Sequence, residues 1–327
     1  MTAEIGERGV IDRRYDVAIS VFSAIYALIF AIIPSHGFRD RENYLNYAEN
    51  ASEILHTYIS AGLLRALTNE PIWLAINTVL GTIFPGPVVV SIIAFFAAFG
   101  VAFFLLSQVR RPIDLVIVTI ILLAPSVFRT HLIQLRQGLA ISVFLLALMV
   151  RIRGARWGIL MAVPLIHSSF FLVIPLVALR EISIKLRFSG FLTLLILLTV
   201  IATFVFSIGT VSSLLRARQA SILETYGSDI SPFSLMMWTV LFISALFQGK
   251  RFIREHVLEI STLTFFFWAF FYMPPVARGF QATLVLSLLA ISRMRRDWLL
   301  ATSCVFFIYV LAQYLVRTSQ PWFGYAV

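Results

Sequence analysis

Basic residues in this chain punctuate long apolar runs instead of lining one face of them, and that arrangement restricts the fold more than any other feature. Clear runs cover 17–33, 88–108, 113–128, 137–150, 189–209, 232–248, 257–273, 279–292 and 297–316. A soluble chain of this size would be about 45–50% apolar and about 25% charged, whereas here 60% is hydrophobic and 13% charged. The expectation is therefore an all-α polytopic membrane protein, whose apolar surface faces lipid. The net charge of +10 reads as a topology signal, and nucleic acid is not an expected partner. A single cysteine, Cys304, excludes a disulfide scaffold and thiolate metal chemistry. The alternating charges of Met1 to Asp16, with no small-residue cleavage site after them, read as a cytoplasmic leader.

Two stretches are ambiguous. Residues 71–84 make about 21 Å of helix, short of the roughly 30 Å hydrocarbon layer, and are expected to dip into the outer leaflet. Residues 157–179 make either one span or two short arms meeting at His167-Ser168-Ser169, each arm with a proline, Pro164 and Pro175. The positive-inside rule favours two arms. With a hairpin, Arg180, Lys185, Arg187, Lys250, Arg251, Arg254, Arg293, Arg295 and Arg296 are cytoplasmic, against Arg216, Arg218, Arg278 and Arg317 outside. One membrane domain over 1–327 follows, with eleven membrane segments, some broken or re-entrant, N-terminus in and C-terminus out. It carries outer loops at 34–87, with interfacial or re-entrant helices, and at 210–231. Internal repeats are absent, which weighs against a secondary transporter.

Under this topology Arg136 and Arg278 each stand at the outer, N-terminal end of an inward-running span. A cation there opposes the helix dipole unless an anion sits between the guanidinium and the first-turn N–H groups, so both are candidates for holding phosphate or pyrophosphate. The alternative is that they snorkel to headgroups. Beyond the first span, Asp40 with Glu42 matches the minimal pattern for a divalent cation beside a phosphate, a weak pattern on its own, and Tyr44 and Tyr47 fall on one helical face. Glu70 before Pro71 reads either as a helix-start residue or as a carboxylate that orients a sugar hydroxyl. His167, in a membrane-depth turn, is the candidate general base or hydrogen-bond donor to substrate, the alternative being a packing residue. His131 is a weaker candidate. Serine-hydrolase, zincin, dinucleotide and Walker motifs are missing from the chain.

In order, Asp40-x-x-Asn43-Tyr44 with Tyr47, Glu70-Pro71, Leu135-Arg136-Gln137-Gly138-Leu139-Ala140, His167-Ser168 and Ala277-Arg278 resemble the Wzy-type polysaccharide polymerases, in particular their EpsG-like branch. The residues Gly37-Phe38-Arg39 depart from the family's small Gly-containing turn before the first Asp. The resemblance implies a GT-C-like glycosyltransferase of the bacterial cytoplasmic membrane, with its site facing the exterior. It would polymerise oligosaccharide repeat units carried on undecaprenyl pyrophosphate into an O-antigen or exopolysaccharide, alongside a flippase and a chain-length regulator. His167, Asp40 and Glu70 would serve the acceptor hydroxyl; Arg136, Arg278 and Arg39 the pyrophosphate; and Tyr44, Tyr47, Asn43 and Gln137 the sugars. No cofactor is implied, and the divalent cation at Asp40 and Glu42 stays open. A transporter of lipid-linked glycans and a ligase to another acceptor are the alternatives.

Overall fold

Apolar runs without strand-forming alternation give helices, and the computed structural model, which describes residues 13–34, 38, 40–214, 232–271 and 277–317, builds helices joined by short turns there. Among these residues there are sixteen helices and no strand. They are α1 (Arg13–Ile32), α2 (Arg41–Ser60), α3 (Leu63–Thr68), α4 (Pro71–Gly81), α5 (Gly86–Ser107), α6 (Pro112–Leu123), α7 (Pro125–Leu132) and α8 (Leu135–Met149). After them come α9 (Arg153–Ile166), α10 (Phe170–Lys185), α11 (Gly190–Leu214), α12 (Pro232–Leu246), α13 (Lys250–Glu255), α14 (Val257–Phe271), α15 (Ala277–Ile291) and α16 (Arg296–Arg317). Helices α5, α11 and α16 are long and apolar enough to cross a bilayer, which makes this a multi-pass membrane protein; α1, α4, α8, α12, α14 and α15 contribute shorter apolar segments.

The run 113–128, expected as one span, is instead the bent pair α6 and α7, turned by 54°. Pro125 explains the bend: it lacks an N–H and holds the preceding residue out of the helical region, and Ala124 is extended at φ −63°, ψ 132°. The stretch 157–179 does break where expected, with His167 extended between α9 and α10, while Pro164 and Pro175 lie inside those helices. Within the expected first outer loop stand α2, α3 and α4. The expected second loop lies outside the described residues beyond Leu214.

Packing divides the chain into two compact units, Thr2–Ser168 with Gln313–Val327, and Ser169–Ala312. In the first, α5 is the central post, with α1, α2 and α8 against it. Its buried face is built from Ala94, Ala97, Ala98, Gly100, Val101 and Ala102, small residues that let helix backbones approach closely in lipid. Helix α2 is too polar to be a span. It buries Arg41, Tyr44, Tyr47, Ala48 and Ala51, one face at helical spacing, and packs on α4 and α5. Gly81 sets how closely α4 lies on α2, because a Cβ there would run into the Ala48 carbonyl. In the second unit α14 packs on α15, α11 and α12, with a buried hydroxyl seam in which Thr262 and Ser287 meet at 3.1 Å.

Candidate functional site

Glu70 occupies the turn between α3 and α4 in a left-handed conformation, φ 61°, ψ 54°. For a residue with a Cβ, and one followed by proline, this backbone is strained by about 1–2 kcal/mol. Its side chain does not cap α4. It turns instead into a buried cluster in which every contact is made by a residue distant in sequence. One carboxylate oxygen, Oε2, accepts from an Arg136 terminal nitrogen at 2.6 Å. The other, Oε1, meets His167 Nδ1 at 2.7 Å and accepts from the Ser168 N–H at 3.2 Å and hydroxyl at 3.3 Å. Glu70 does stand at the start of α4, but its carboxylate is engaged by Arg136, His167 and Ser168 and does not cap the helix.

Burial alone would raise the Glu70 carboxyl, but the Arg136 guanidinium, and after it His167 and Ser168, outweigh burial and hold the group well below the ordinary carboxylate range. Glu70 is therefore an anion at any physiological pH. Since a carboxylate can only accept, the proton at the His167 contact lies on Nδ1, and a neutral imidazole then has its lone pair on Nε2. Among the described atoms Nε2 is buried and has no hydrogen-bond partner.

Helix α2 supplies the wall around Arg136. The guanidinium lies 5.2 Å above the Tyr47 ring and 3.5 Å from its hydroxyl. The Tyr44 oxygen faces both the backbone N–H and the side chain of Arg136. Both tyrosine rings pack edge-on against Trp73, at 5.8 and 6.0 Å between centroids. Trp73 and Glu70 are three residues apart, so α4 delivers both to the same place. Arg136 itself owes its position to Gly138: a Cβ there would run into the Thr130 carbonyl, so the glycine lets the start of α8 lie against α7.

Five of the residues singled out from sequence thus converge: Tyr44, Tyr47, Glu70, Arg136 and His167. Of the others, Asp40 is half-buried at the start of α2, Asn43 and Glu42 are exposed, and Gln137 is buried in the first turn of α8. Arg39 lies outside the described residues, as does the side chain of Arg278, whose backbone opens α15. His131 is fully buried, its ring edge-on to Tyr26 and Phe30, and makes none of the contacts to Glu70. Among the described residues no group of three or more His, Cys, Asp or Glu side chains is placed to hold a metal ion. Sequence reasoning missed Trp73, whose signal was its one-turn offset from Glu70, and marked Ser168 only as the neighbour of His167, not as a group that holds the carboxylate. It also missed Arg41.

No curated protein and no solved structure matches the chain. The match to the EpsG family covers residues 19–326, nearly the whole sequence and all of the cluster around Glu70, and the chain belongs to that family.

Proposed function

We propose that the protein is a membrane glycosyltransferase that polymerises oligosaccharide repeat units carried on undecaprenyl pyrophosphate, working at the outer face of the bacterial cytoplasmic membrane with eleven membrane segments, N-terminus in and C-terminus out. The observation that carries the reading is the bridge Glu70 makes between His167 and Arg136. It joins a base to a cation, the two groups that transfer from a diphosphate-linked sugar requires.

In this reaction the acceptor hydroxyl of the incoming unit attacks the anomeric carbon of the growing chain, a new C–O bond forms, and the bond to the diphosphate breaks. His167 Nε2 takes the hydroxyl proton, and Glu70 stabilises the imidazolium on the opposite edge of the ring. As that cation forms, the Glu70 charge is shared between His167 and Arg136, which leaves Arg136 more of its own charge for the departing diphosphate. Tyr44, Tyr47 and Trp73 hold Arg136 in place. Arg39 and Arg278 are further candidates for the diphosphate, Asp40 for the acceptor hydroxyl, and Asn43 and Gln137 for the sugars, on the strength of the sequence pattern. Ser168 anchors Glu70 through its N–H and its hydroxyl.

Purified protein incubated with lipid-linked repeat units, its products resolved by size, tests the reading. A ladder of products supports it; a single addition to a foreign acceptor indicates a ligase, and unchanged linkages with movement across the bilayer indicate a transporter.

A further inference from the structure

Arg41 is buried to 1% exposure at the start of α2, on the same helical face as Tyr44 and Tyr47. Its Nε donates to the Leu132 carbonyl at 2.9 Å, and its guanidinium lies 5.5 Å above the Phe38 ring. Phe38 in turn packs in one apolar cluster with Leu132 and Ile133, which fixes the start of α2 against the turn between α7 and α8. One terminal nitrogen, Nη2, is buried without a hydrogen-bond partner, and among the described residues no carboxylate pairs with the group. A guanidinium desolvated to this degree normally has an anion beside it, since an uncompensated buried charge is costly. Arg136 has Glu70; among the described residues Arg41 has a carbonyl, a ring and the neutral phenol of Tyr44 nearby.

The surroundings say where an anion would sit. The Leu132 carbonyl that fixes Arg41 is three residues ahead of Leu135, the first residue of α8, so the guanidinium is anchored at the chain turn that leads into the positive end of that helix. Tyr44, one turn along α2 from Arg41, faces the Arg136 backbone N–H and guanidinium. Two cations, a helix start and a phenol between them therefore share one neighbourhood. Burial lowers the Arg41 pKa to about 10, and the group stays charged at neutral pH.

We propose that Arg41 is a second anion contact at the α7–α8 turn, and that it and Arg136 take the two phosphates of one diphosphate. The inference rests on the proposed diphosphate-linked substrate. It assigns the two cations unequal work: Arg136 is charge-compensated in the free protein, while Arg41 gains its anionic partner only when substrate binds.

The test uses the full-length protein in detergent and inorganic pyrophosphate as the probe, with binding read by calorimetry and polymer formation read separately. Wild type is expected to bind pyrophosphate, Arg41→Gln to bind it about tenfold or more weakly, and Arg41→Lys, which keeps a cation but loses the fork geometry, about three- to fivefold more weakly. Should the Gln variant not fold, the Lys variant carries the test alone. Unchanged pyrophosphate affinity in a folded Arg41 variant overturns the proposal, and does so even when wild type makes polymer. Pyrophosphate binding that depends on Arg41 in a protein that makes no polymer supports the anion site and removes the polymerase reading instead.

Discussion

Glu70 and His167, 97 residues apart in the chain, meet at 2.7 Å between carboxylate and Nδ1, and the same carboxylate holds Arg136 at 2.6 Å. With its proton on Nδ1 toward the carboxylate, a neutral His167 imidazole keeps its lone pair on the buried Nε2. Replacing Glu70 by Gln keeps the size and an acceptor but removes the charge that stabilises an imidazolium. Turnover is expected to fall about 10²-fold or more, with a much smaller change in substrate KM. Kinetics of polymer growth by a correctly inserted variant check this; an equal loss in KM would place Glu70 in binding instead.

The left-handed backbone at Glu70 is held by its carboxylate contacts. Shortening the side chain in Glu70→Asp withdraws the carboxylate from Arg136 on α8 and from His167 and Ser168 at the break between α9 and α10. Stability is expected to drop by about 1–3 kcal/mol, the cost of leaving Arg136 and the His167 edge partly unpaired, with the exposed fraction of Arg136 keeping it at the lower end. Glu70→Ala and Glu70→Gly both remove the carboxylate and only the glycine relieves the backbone strain, so the glycine variant is expected to melt above the alanine variant.

The depressed Glu70 pKa has a sign that can be followed through pH. Its folded value lies below the unfolded one, so its stabilising contribution is complete above the unfolded carboxylate range and is lost as pH falls through the folded value. The difference in melting temperature between wild type and Glu70→Gln is therefore expected to be constant from pH 8 to about 5 and to shrink only in stronger acid. A difference that already shrinks between pH 7 and 6 contradicts the assignment of Glu70 as a permanent anion.

Gly138 lets α8 lie against the Thr130 carbonyl. Gly138→Ala forces the two helices apart just beside Arg136, at an expected cost of about 1–3 kcal/mol, and activity is expected to fall further than the loss of folded protein explains. Activity that tracks folded protein alone would show that the displacement does not reach Arg136.

Much of this was readable from residue order. The all-helical membrane character followed from hydropathy, the break at His167 from the distribution of Lys and Arg along the chain, and the Leu135 to Ala140 motif marked both Arg136 and the glycine that seats it. What periodicity could not reveal was pairing. Glu70 beside a proline looks like an ordinary helix start, and nothing in Asn69-Glu70-Pro71 announces a left-handed turn that swings the carboxylate toward Arg136 and His167. The 54° bend at Pro125 was hidden inside an apolar run of ordinary span length. Arg41 was passed over because in sequence it is one of several charges in a polar stretch; only burial on the Tyr44 face sets it apart from Glu42 and Asn43.

The central claim is that a base and a cation tied together by Glu70 drive transfer from a lipid diphosphate. The most direct measurement is product size after purified protein, reconstituted in liposomes, is given lipid-linked repeat units, for wild type beside His167→Gln and Arg136→Ala variants of verified insertion and stability. A ladder from wild type with chain growth slowed at least about a hundredfold in both variants is the expected result. A ladder that forms equally fast without the His167 imidazole and the Arg136 guanidinium would contradict the account.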